Sequence, residues 1–97
     1  MYYVHYRADG TEAVIGSLKK IPPLSDLQKY VGGYVSILKM PNGDTLYCND
    51  EGKLEGLPVN DKATAIFKEL FPKEKYPINN DELIVGDVLY AKRELAK

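Results

Sequence analysis

Tryptophan is absent from this sequence, and cysteine and histidine each occur once, as Cys48 and His5. A single cysteine excludes an intrachain disulfide and a cysteine-based zinc site. No apolar run approaches the roughly 20 residues that a membrane-spanning helix requires, and residues 1–7 lack the basic and then apolar order of a signal peptide. We therefore expect a cytoplasmic protein that does not span a membrane.

The charges also lack an excess of either sign, since 13 basic side chains stand against 14 acidic ones and the formal net charge is -1. Binding to nucleic acid depends largely on a clustered positive surface that contacts phosphates. Nucleic acid is therefore not the partner that we expect. The length of 97 residues and the apolar fraction of 44% predict a single globular domain over 1–97 with a modest core.

Two β-prone segments open the chain and predict an antiparallel hairpin. Residues 2–7 place their side chains alternately on two faces, residues 8–11 carry a turn signal, and residues 12–18 resume a strand pattern. Pro22 and Pro23 cannot continue a ladder of backbone hydrogen bonds. The hairpin is therefore expected to end before them.

A short helix is predicted to follow, ending near Val31. Ser25 and Gln28 match a capping box, in which each side chain bonds to the backbone N–H of the other residue. Gly32 and Gly33 come next, and glycine tolerates the positive φ that the residue after a helix often requires. We predict that this pair is a structural turn, where the helix stops and a central strand begins.

The second half of the chain predicts another hairpin, a helix and a last strand. Residues 34–40 and 45–49 flank an Asn-Gly pair, which is typical of tight hairpin turns. Asn60 is expected to cap a helix with apolar side chains at helical spacing, and residues 83–92 predict the last strand after a linker. The order ββαββαβ predicts an α+β fold, an antiparallel sheet of about five strands with both helices on one face.

Side chains with catalytic chemistry are few. His5 lies on a terminal strand, where a surface position is expected, and the serines that a triad would need are explained as capping or sheet residues. Cys48 is expected to be a small buried hydrophobic residue. The acidic loop after it lacks two ligands of an EF-hand, because Tyr47 and Pro58 stand at the first and last positions. We therefore predict no catalytic residue, metal site or cofactor.

The loop after residue 48 is the strongest candidate for a binding surface. We predict a polar rim that holds a partner or ligand. Its members are Tyr34, Asn49, Glu51, Lys53 and Asn60. Loops on a rigid scaffold often carry recognition residues, although a merely solvated loop explains the same pattern. An alternative is a stacking platform for single-stranded nucleic acid, built from Tyr3, His5 and Arg7 on an open face of the sheet.

The order and spacing of several motifs resemble the family named domain of unknown function thirty-eight forty-six (DUF3846), small domains seen in phages, prophages and mobile elements. The resemblance covers about residues 24–89. It lies in Leu27 with 31–34, in 49–53, in 57–60 with Ala63, and in 84–87. The family commonly carries glutamates where Ser36 and Asp50 stand, which weakens a role for a carboxylate on the third strand. The resemblance implies a phage or mobile-element origin. It implies no activity, because none is established for the family.

We therefore expect a non-enzymatic binding module that acts on a host protein or defence component, or that holds a small polar ligand. Two alternatives stay open. One is a small enzyme or a nucleotide-sequestering protein, in which Asn49, Glu51 and Lys53 bind a phosphate or a base. The other is a nucleic-acid accessory protein. The oligomeric state is left open by the sequence.

Overall fold

The structure is a computed structural model, and it describes residues 1–71 and 83–93. Within these ranges the elements follow the order ββαββαβ. The strands are β1 (Tyr2–Tyr6), β2 (Glu12–Ser17), β3 (Val35–Lys39), β4 (Thr45–Asn49) and β5 (Val88–Lys92), and the helices are α1 (Leu24–Val31) and α2 (Asp61–Leu70). The predicted α+β class is confirmed. The linker predicted over 73–81 lies outside the described residues.

The five strands form one antiparallel sheet in the order β2-β1-β5-β4-β3. The two hairpins, β1 with β2 and β3 with β4, are joined only through β5, which pairs with β1 on one side and β4 on the other. β3 was expected in the centre of the sheet, and this prediction was wrong because β3 is an edge strand. The centre is β5, from the far end of the described chain.

The two helices pack on opposite faces of the sheet, and the prediction that they share one face was wrong. Leu27 of α1 packs in a buried cluster with Leu89 of β5, whereas Phe67 of α2 packs in a second cluster with Val88 and Tyr90. Residues 88–91 are all buried, because their side chains alternate between the two clusters. A strand buried on both faces is a continuous apolar run, which is the sequence signal that distinguishes β5.

α1 begins at Leu24, with Pro23 at the N-cap and no side-chain hydrogen bond to the cap. The predicted capping box was wrong, since Ser25 is an exposed residue inside the first turn. Pro23 enters the helix from an extended backbone, with ψ of 155° and a φ of -59° that its ring fixes. The rigid Pro22-Pro23 pair therefore decides where α1 starts.

Gly32 and Gly33 are both required at the end of α1, for different reasons. Gly32 has φ of 77° and donates its N–H to the Gln28 carbonyl at 2.8 Å, which confirms it as the left-handed cap. Gly33 lies beside the side chain of Asn49, where an added Cβ would approach Nδ2 to 3.0 Å. The pair thus turns the chain and lets β4 come close to the helix end.

Candidate functional site

Residues 50–56 form a ridge at one end of β4, with a cleft on each side. The first, the tyrosine cleft, has a volume of about 640 Å³ and is lined by Ser25, Gln28, Gly33, Tyr34, Glu51 and Glu55, among others. The second, the leucine cleft, has a volume of about 220 Å³, and its lining includes Cys48, Asp50, Lys53, Leu54, Leu83 and Val85. The ridge and the two clefts together are the candidate site.

Asn49 anchors the start of the ridge. Its side chain is only 7% exposed, and its Nδ2 donates to the carbonyl oxygen of Val31 at 3.2 Å. Its Oδ1 accepts the backbone N–H of Glu51 at 2.9 Å. The amide therefore joins the last turn of α1 to the first turn of the ridge. Its visible role is to position neighbours, and a direct contact to a ligand stays a prediction.

The ridge is held by its own backbone and by a close approach to the next segment. The N–H of Glu55 donates to the Glu51 carbonyl at 2.9 Å, and the N–H of Leu57 donates to the Gly52 carbonyl at 3.0 Å. Gly52 is buried against Val85, since an added Cβ would lie 2.8 Å from the Val85 Cγ2. These contacts fix the backbone positions from which the side chains of the ridge extend.

The structure separates the predicted site residues into three places. Tyr34 and Glu51 line the tyrosine cleft, where the Tyr34 side chain is 68% exposed. Lys53 lines the leucine cleft and is exposed. Asn60 lines neither of these clefts. The predicted rim is therefore a ridge flanked by two surfaces rather than one continuous pocket.

Asn60 is buried at the N-cap of α2, as predicted for a capping residue. Its Oδ1 accepts the N–H of Ala63 at 3.1 Å, and its Nδ2 donates to the carbonyls of Tyr6 at 3.0 Å and Gly86 at 2.9 Å. The side-chain amide thus ties α2 to β1 and to the chain just before β5. With its polar atoms engaged in this way, Asn60 supports the scaffold behind the site.

Leu54 is an exposed apolar side chain on the ridge, and the sequence analysis missed it. It is 89% exposed, the highest exposure among the large exposed hydrophobic side chains of the described residues. The available signal was an apolar residue between Lys53 and Glu55 in an otherwise polar loop. Isolated exposed leucines are common on protein surfaces, so this signal acquires meaning only from the fixed backbone beneath it.

The ridge is mainly acidic, and the thiol of Cys48 beside it has a raised pKa. Asp50, Glu51 and Glu55 are exposed carboxylates, and Lys53 brings one ammonium group. Burial raises the pKa of the Cys48 thiol, and the charge of Asp50 adds to the rise. A thiol with a raised pKa stays protonated near neutral pH and is a poor nucleophile.

The face expected to stack nucleic-acid bases is covered by α1. Tyr3 and His5 are buried, and the Nε2–H of His5 donates to the Tyr30 carbonyl at 2.8 Å. The His5 and Tyr30 rings also meet edge to face, with centroids 5.0 Å apart. The prediction of a surface histidine on a terminal edge strand was wrong, because β1 lies inside the sheet and beneath the helix. This histidine attaches β1 to the end of α1.

No cluster of three or more His, Cys, Asp or Glu side chains in residues 1–71 and 83–93 is arranged to hold a metal ion. Neither helix in these ranges has the length and apolar character needed to cross a membrane.

Comparison with known proteins gives a family. Neither the curated proteins nor the solved structures contain a match to this chain. The family described as Domain of unknown function (DUF3846) matches residues 5–95, a range that includes the ridge and both clefts. Because the match extends over nearly the whole sequence, the chain belongs to the DUF3846 family.

Proposed function

We propose that this protein is a non-enzymatic binding module that docks on a partner protein through the ridge and its two clefts. The observation that carries the proposal is the 89% exposure of Leu54 on a ridge whose backbone is fixed. Full burial of a leucine side chain contributes about 1.5 to 3 kcal/mol. Binding to a partner with an apolar pocket for Leu54 would gain this contribution, which is absent while the side chain is exposed to water.

Tyr34 supplies a second anchor on the other side of the ridge. Its ring is 68% exposed and lies next to Gly33 and Glu51 in the tyrosine cleft. Tyrosine is enriched among the residues that contribute most to protein–protein binding, since it brings a large apolar area and a hydroxyl at little entropic cost. A leucine and a tyrosine flanking one ridge are suited to a partner surface with two depressions.

The fixed backbone of the ridge favours binding because little order has to be gained when a complex forms. The hydrogen bonds of Asn49 and the turn between Glu51 and Leu57 already hold the ridge in one arrangement. Ordering a loop at an interface otherwise subtracts from affinity. The anchors are therefore presented in a geometry ready for docking.

The charges on the ridge indicate the partner's chemistry. Residues 50–56 carry three carboxylates and one ammonium group. The carboxylates belong to Asp50, Glu51 and Glu55, and the ammonium group belongs to Lys53. Complementary charges at an interface raise the association rate and exclude partners of the same sign. We therefore expect a partner whose docking surface combines apolar depressions with a basic rim.

We propose that this partner is a host protein, with a component of host defence as the specific candidate, because the sequence resembles domains of phages and mobile elements. The module would then act in the host cytoplasm. No catalytic step is needed for such a role, because occupation of the partner's surface is itself the effect. The raised pKa of the Cys48 thiol agrees with a role that does not use a nucleophile.

Site-specific photocrosslinking tests the proposal. A photoreactive phenylalanine analogue replaces Leu54 in one variant and exposed Val14, on strand β2, in a control. After irradiation in host extract, we expect a discrete adduct from position 54 that is absent from position 14. Excess unlabelled wild-type protein should suppress the adduct, whereas the Leu54→Ala/Tyr34→Ala double variant should not.

Equal suppression by the wild type and the double variant would contradict the assignment of the anchors. Identical adducts from positions 54 and 14 would show nonspecific capture. A second comparison uses Glu51→Ala/Lys53→Ala, since both side chains are exposed and their loss should weaken capture with an unchanged melting temperature. Asn49 is left intact in these variants because its side chain holds the ridge in place.

A small polar ligand in the tyrosine cleft is the second candidate. The observation that favours it is the grouping of Ser25, Gln28 and Glu51 around the Tyr34 ring, in a cleft of about 640 Å³. Pockets of this size hold small molecules between an aromatic surface and a few polar groups. Mass spectrometry of molecules released on denaturation tests it, and a ligand lost from Tyr34→Ala but retained by Leu54→Ala would favour this candidate over a protein partner.

A further inference from the structure

The two edges of the sheet differ in how they are protected. On the β2 edge the register with β1 shifts between Tyr3 and Val4, which marks a bulge, and Glu12 forms an ion pair with Lys62 at 3.3 Å. On the other edge, β3 pairs with β4 in an unbroken register over all of its residues. Bulges and charges are the usual means by which proteins block pairing at a sheet edge. β3 has no bulge, and its single charge is at its last residue.

The hydrogen bonds at both ends of β3 show which of its backbone groups point outward. The N–H of Asp50 donates to the Tyr34 carbonyl at 2.8 Å, and the N–H of Met40 donates to the Asp44 carbonyl at 2.9 Å. Residues along an antiparallel strand alternate in the direction of their backbone groups. The even-numbered residues of 34–40 therefore face β4, and Val35, Ile37 and Lys39 direct their N–H and C=O groups away from it.

These outward groups have no partner strand among residues 1–71 and 83–93, where β3 pairs only with β4. Ile37, at the middle of the strand, is 57% exposed. An unbroken, unpaired edge with an exposed β-branched residue at its centre is a template for another strand.

We propose that β3 pairs antiparallel with β3 of a second copy of this chain, so that two five-stranded sheets join across a two-fold axis at Ile37. In this register Ile37 lies opposite Ile37 of the second copy, and Val35 lies opposite Lys39. All residues with outward backbone groups then meet each other, which gives about six hydrogen bonds between the copies. The strand is therefore complementary to itself.

Other registers are poorer. A shift of one residue would place the odd-numbered residues of one copy opposite the even-numbered residues of the other. The backbone groups of those even-numbered residues are already bonded to β4 and could not pair between the copies. A shift of two residues keeps the alternation but leaves one of the three facing pairs unmatched. The register centred on Ile37 is the one that uses Val35, Ile37 and Lys39 of both copies completely.

The side chains agree with this register. Ile37 and Val35 lie on the same face of the sheet, because they are two residues apart in one strand, and Val35 packs against the cluster beneath α1. Pairing buries each Ile37 against its symmetry mate, and cross-strand pairs of β-branched residues are favourable. Lys39, the only charge in β3, faces Val35 rather than a second lysine. The net charge of -1 adds little repulsion between copies.

The expected dimer is weak and reversible. Five residues of each copy form the shared edge, which puts the contact at the small end of protein interfaces. Mass action then makes the dimer fraction rise with protein concentration. Leu54 and the acidic side chains of the ridge are outside β3, whereas the other anchor, Tyr34, immediately precedes it. Variants at Ile37 therefore test the pairing without changing either anchor.

Sedimentation velocity over a wide concentration range tests the proposal. We expect the wild-type protein to shift from monomer to dimer as its concentration rises. Ile37→Lys should remain monomeric, because it places two lysines opposite each other on the axis. Val14→Lys is the matched control, since Val14 is 61% exposed on the β2 edge, and this variant should dimerise like the wild type.

A charge-reversal experiment completes the test. Ile37→Glu should also be monomeric alone, and mixing it with Ile37→Lys should restore a dimer that contains one copy of each. Circular dichroism and melting temperature check that both variants fold. A wild-type protein that stays monomeric up to about 1 mM, a concentration that reveals millimolar affinities, overturns the proposal. A dimer that survives Ile37→Lys, or that Val14→Lys abolishes, overturns it as well.

Discussion

The Nδ2 of Asn49 donates to the carbonyl oxygen of Val31, 3.2 Å away, and so joins the end of β4 to the last turn of α1. A helix leaves its final carbonyl groups without partners inside the helix. The same amide accepts the N–H of Glu51 and fixes the start of the ridge. One buried side chain therefore completes a helix end and supports the candidate site.

Replacing Asn49 by alanine should destabilise the protein by about 1 to 3 kcal/mol, because the buried carbonyl of Val31 and the N–H of Glu51 lose their partner. The urea midpoint measures the change. Glu55→Ala is the control, since Glu55 is exposed on the same ridge and should change stability by less than about 0.5 kcal/mol. Equal midpoints for the two variants would contradict the anchoring role of Asn49.

Gly32→Ala and Gly33→Ala should both destabilise the protein, through different mechanisms. Gly32 has positive φ and open space around it, so alanine costs about 1 kcal/mol of backbone strain. At Gly33 the new Cβ meets the Asn49 amide at 3.0 Å. Adding Asn49→Ala should therefore reduce the penalty at Gly33 and leave the penalty at Gly32 unchanged. Chemical denaturation of the double-mutant cycles measures both couplings, and identical couplings would disprove the distinction.

Phe67→Ala should be much more destabilising than Leu70→Ala, although both are among the apolar side chains at helical spacing in α2. Phe67 is buried and packs with Leu46, Val88 and other members of its cluster, so its removal should cost about 3 to 5 kcal/mol. Leu70 is only half-buried at the margin of the same cluster and should cost less. Thermal melts decide the order, with exposed Lys68→Ala as a surface control.

The Tyr90 hydroxyl should make the protein sensitive to alkaline pH. It donates to the buried carboxylate of Asp44, and burial first and Asp44 second raise the pKa of Tyr90 well above 10.0. In the unfolded chain the tyrosine ionises near its ordinary pKa of about 10. The stability is therefore fully present below that pH and falls as the pH rises through it, because the unfolded state releases its proton first.

Tyr90→Phe should weaken this alkaline loss, and urea midpoints between about pH 8 and pH 11 measure it. Some loss should persist, since burial also raises the pKa values of Tyr3 and Tyr47. The Asp44 carboxylate keeps two partners in the variant, the Asn42 side chain at 2.9 Å and the Arg93 backbone N–H at 2.8 Å. A variant whose midpoint declines in parallel with the wild type would show that Tyr90 does not contribute.

The local elements of the fold could be predicted from the sequence because their signals are local. Gly32 after an apolar helical pattern and Asn60 before another one mark helix ends by the chemistry of one residue. The position of Ser25 could not be settled in this way, because a serine three residues before a glutamine fits a cap and an ordinary first turn equally well. The Pro22-Pro23 pair, rather than a capping box, determines where α1 begins.

The strand order and the faces of the helices depend on contacts between distant parts of the chain. Tyr3 lies opposite Ala91 in the sheet, a pairing that no short segment of sequence specifies. In the candidate site, Asn49 and Asn60 were predicted as members of a recognition rim because they flank a polar loop on a rigid scaffold. The same amide groups also satisfy buried backbone atoms, and only the burial of both side chains distinguishes the two uses.

During synthesis on the ribosome, the two hairpins emerge before the strand that joins them. Until β5 has been made, β1 and β4 each expose a row of unpaired backbone groups that β5 later covers. Such open edges attract other chains and favour aggregation. A nascent chain of this protein is therefore most vulnerable just before β5 appears, and translation pauses upstream of Val88 should lower the yield of folded protein more than pauses elsewhere.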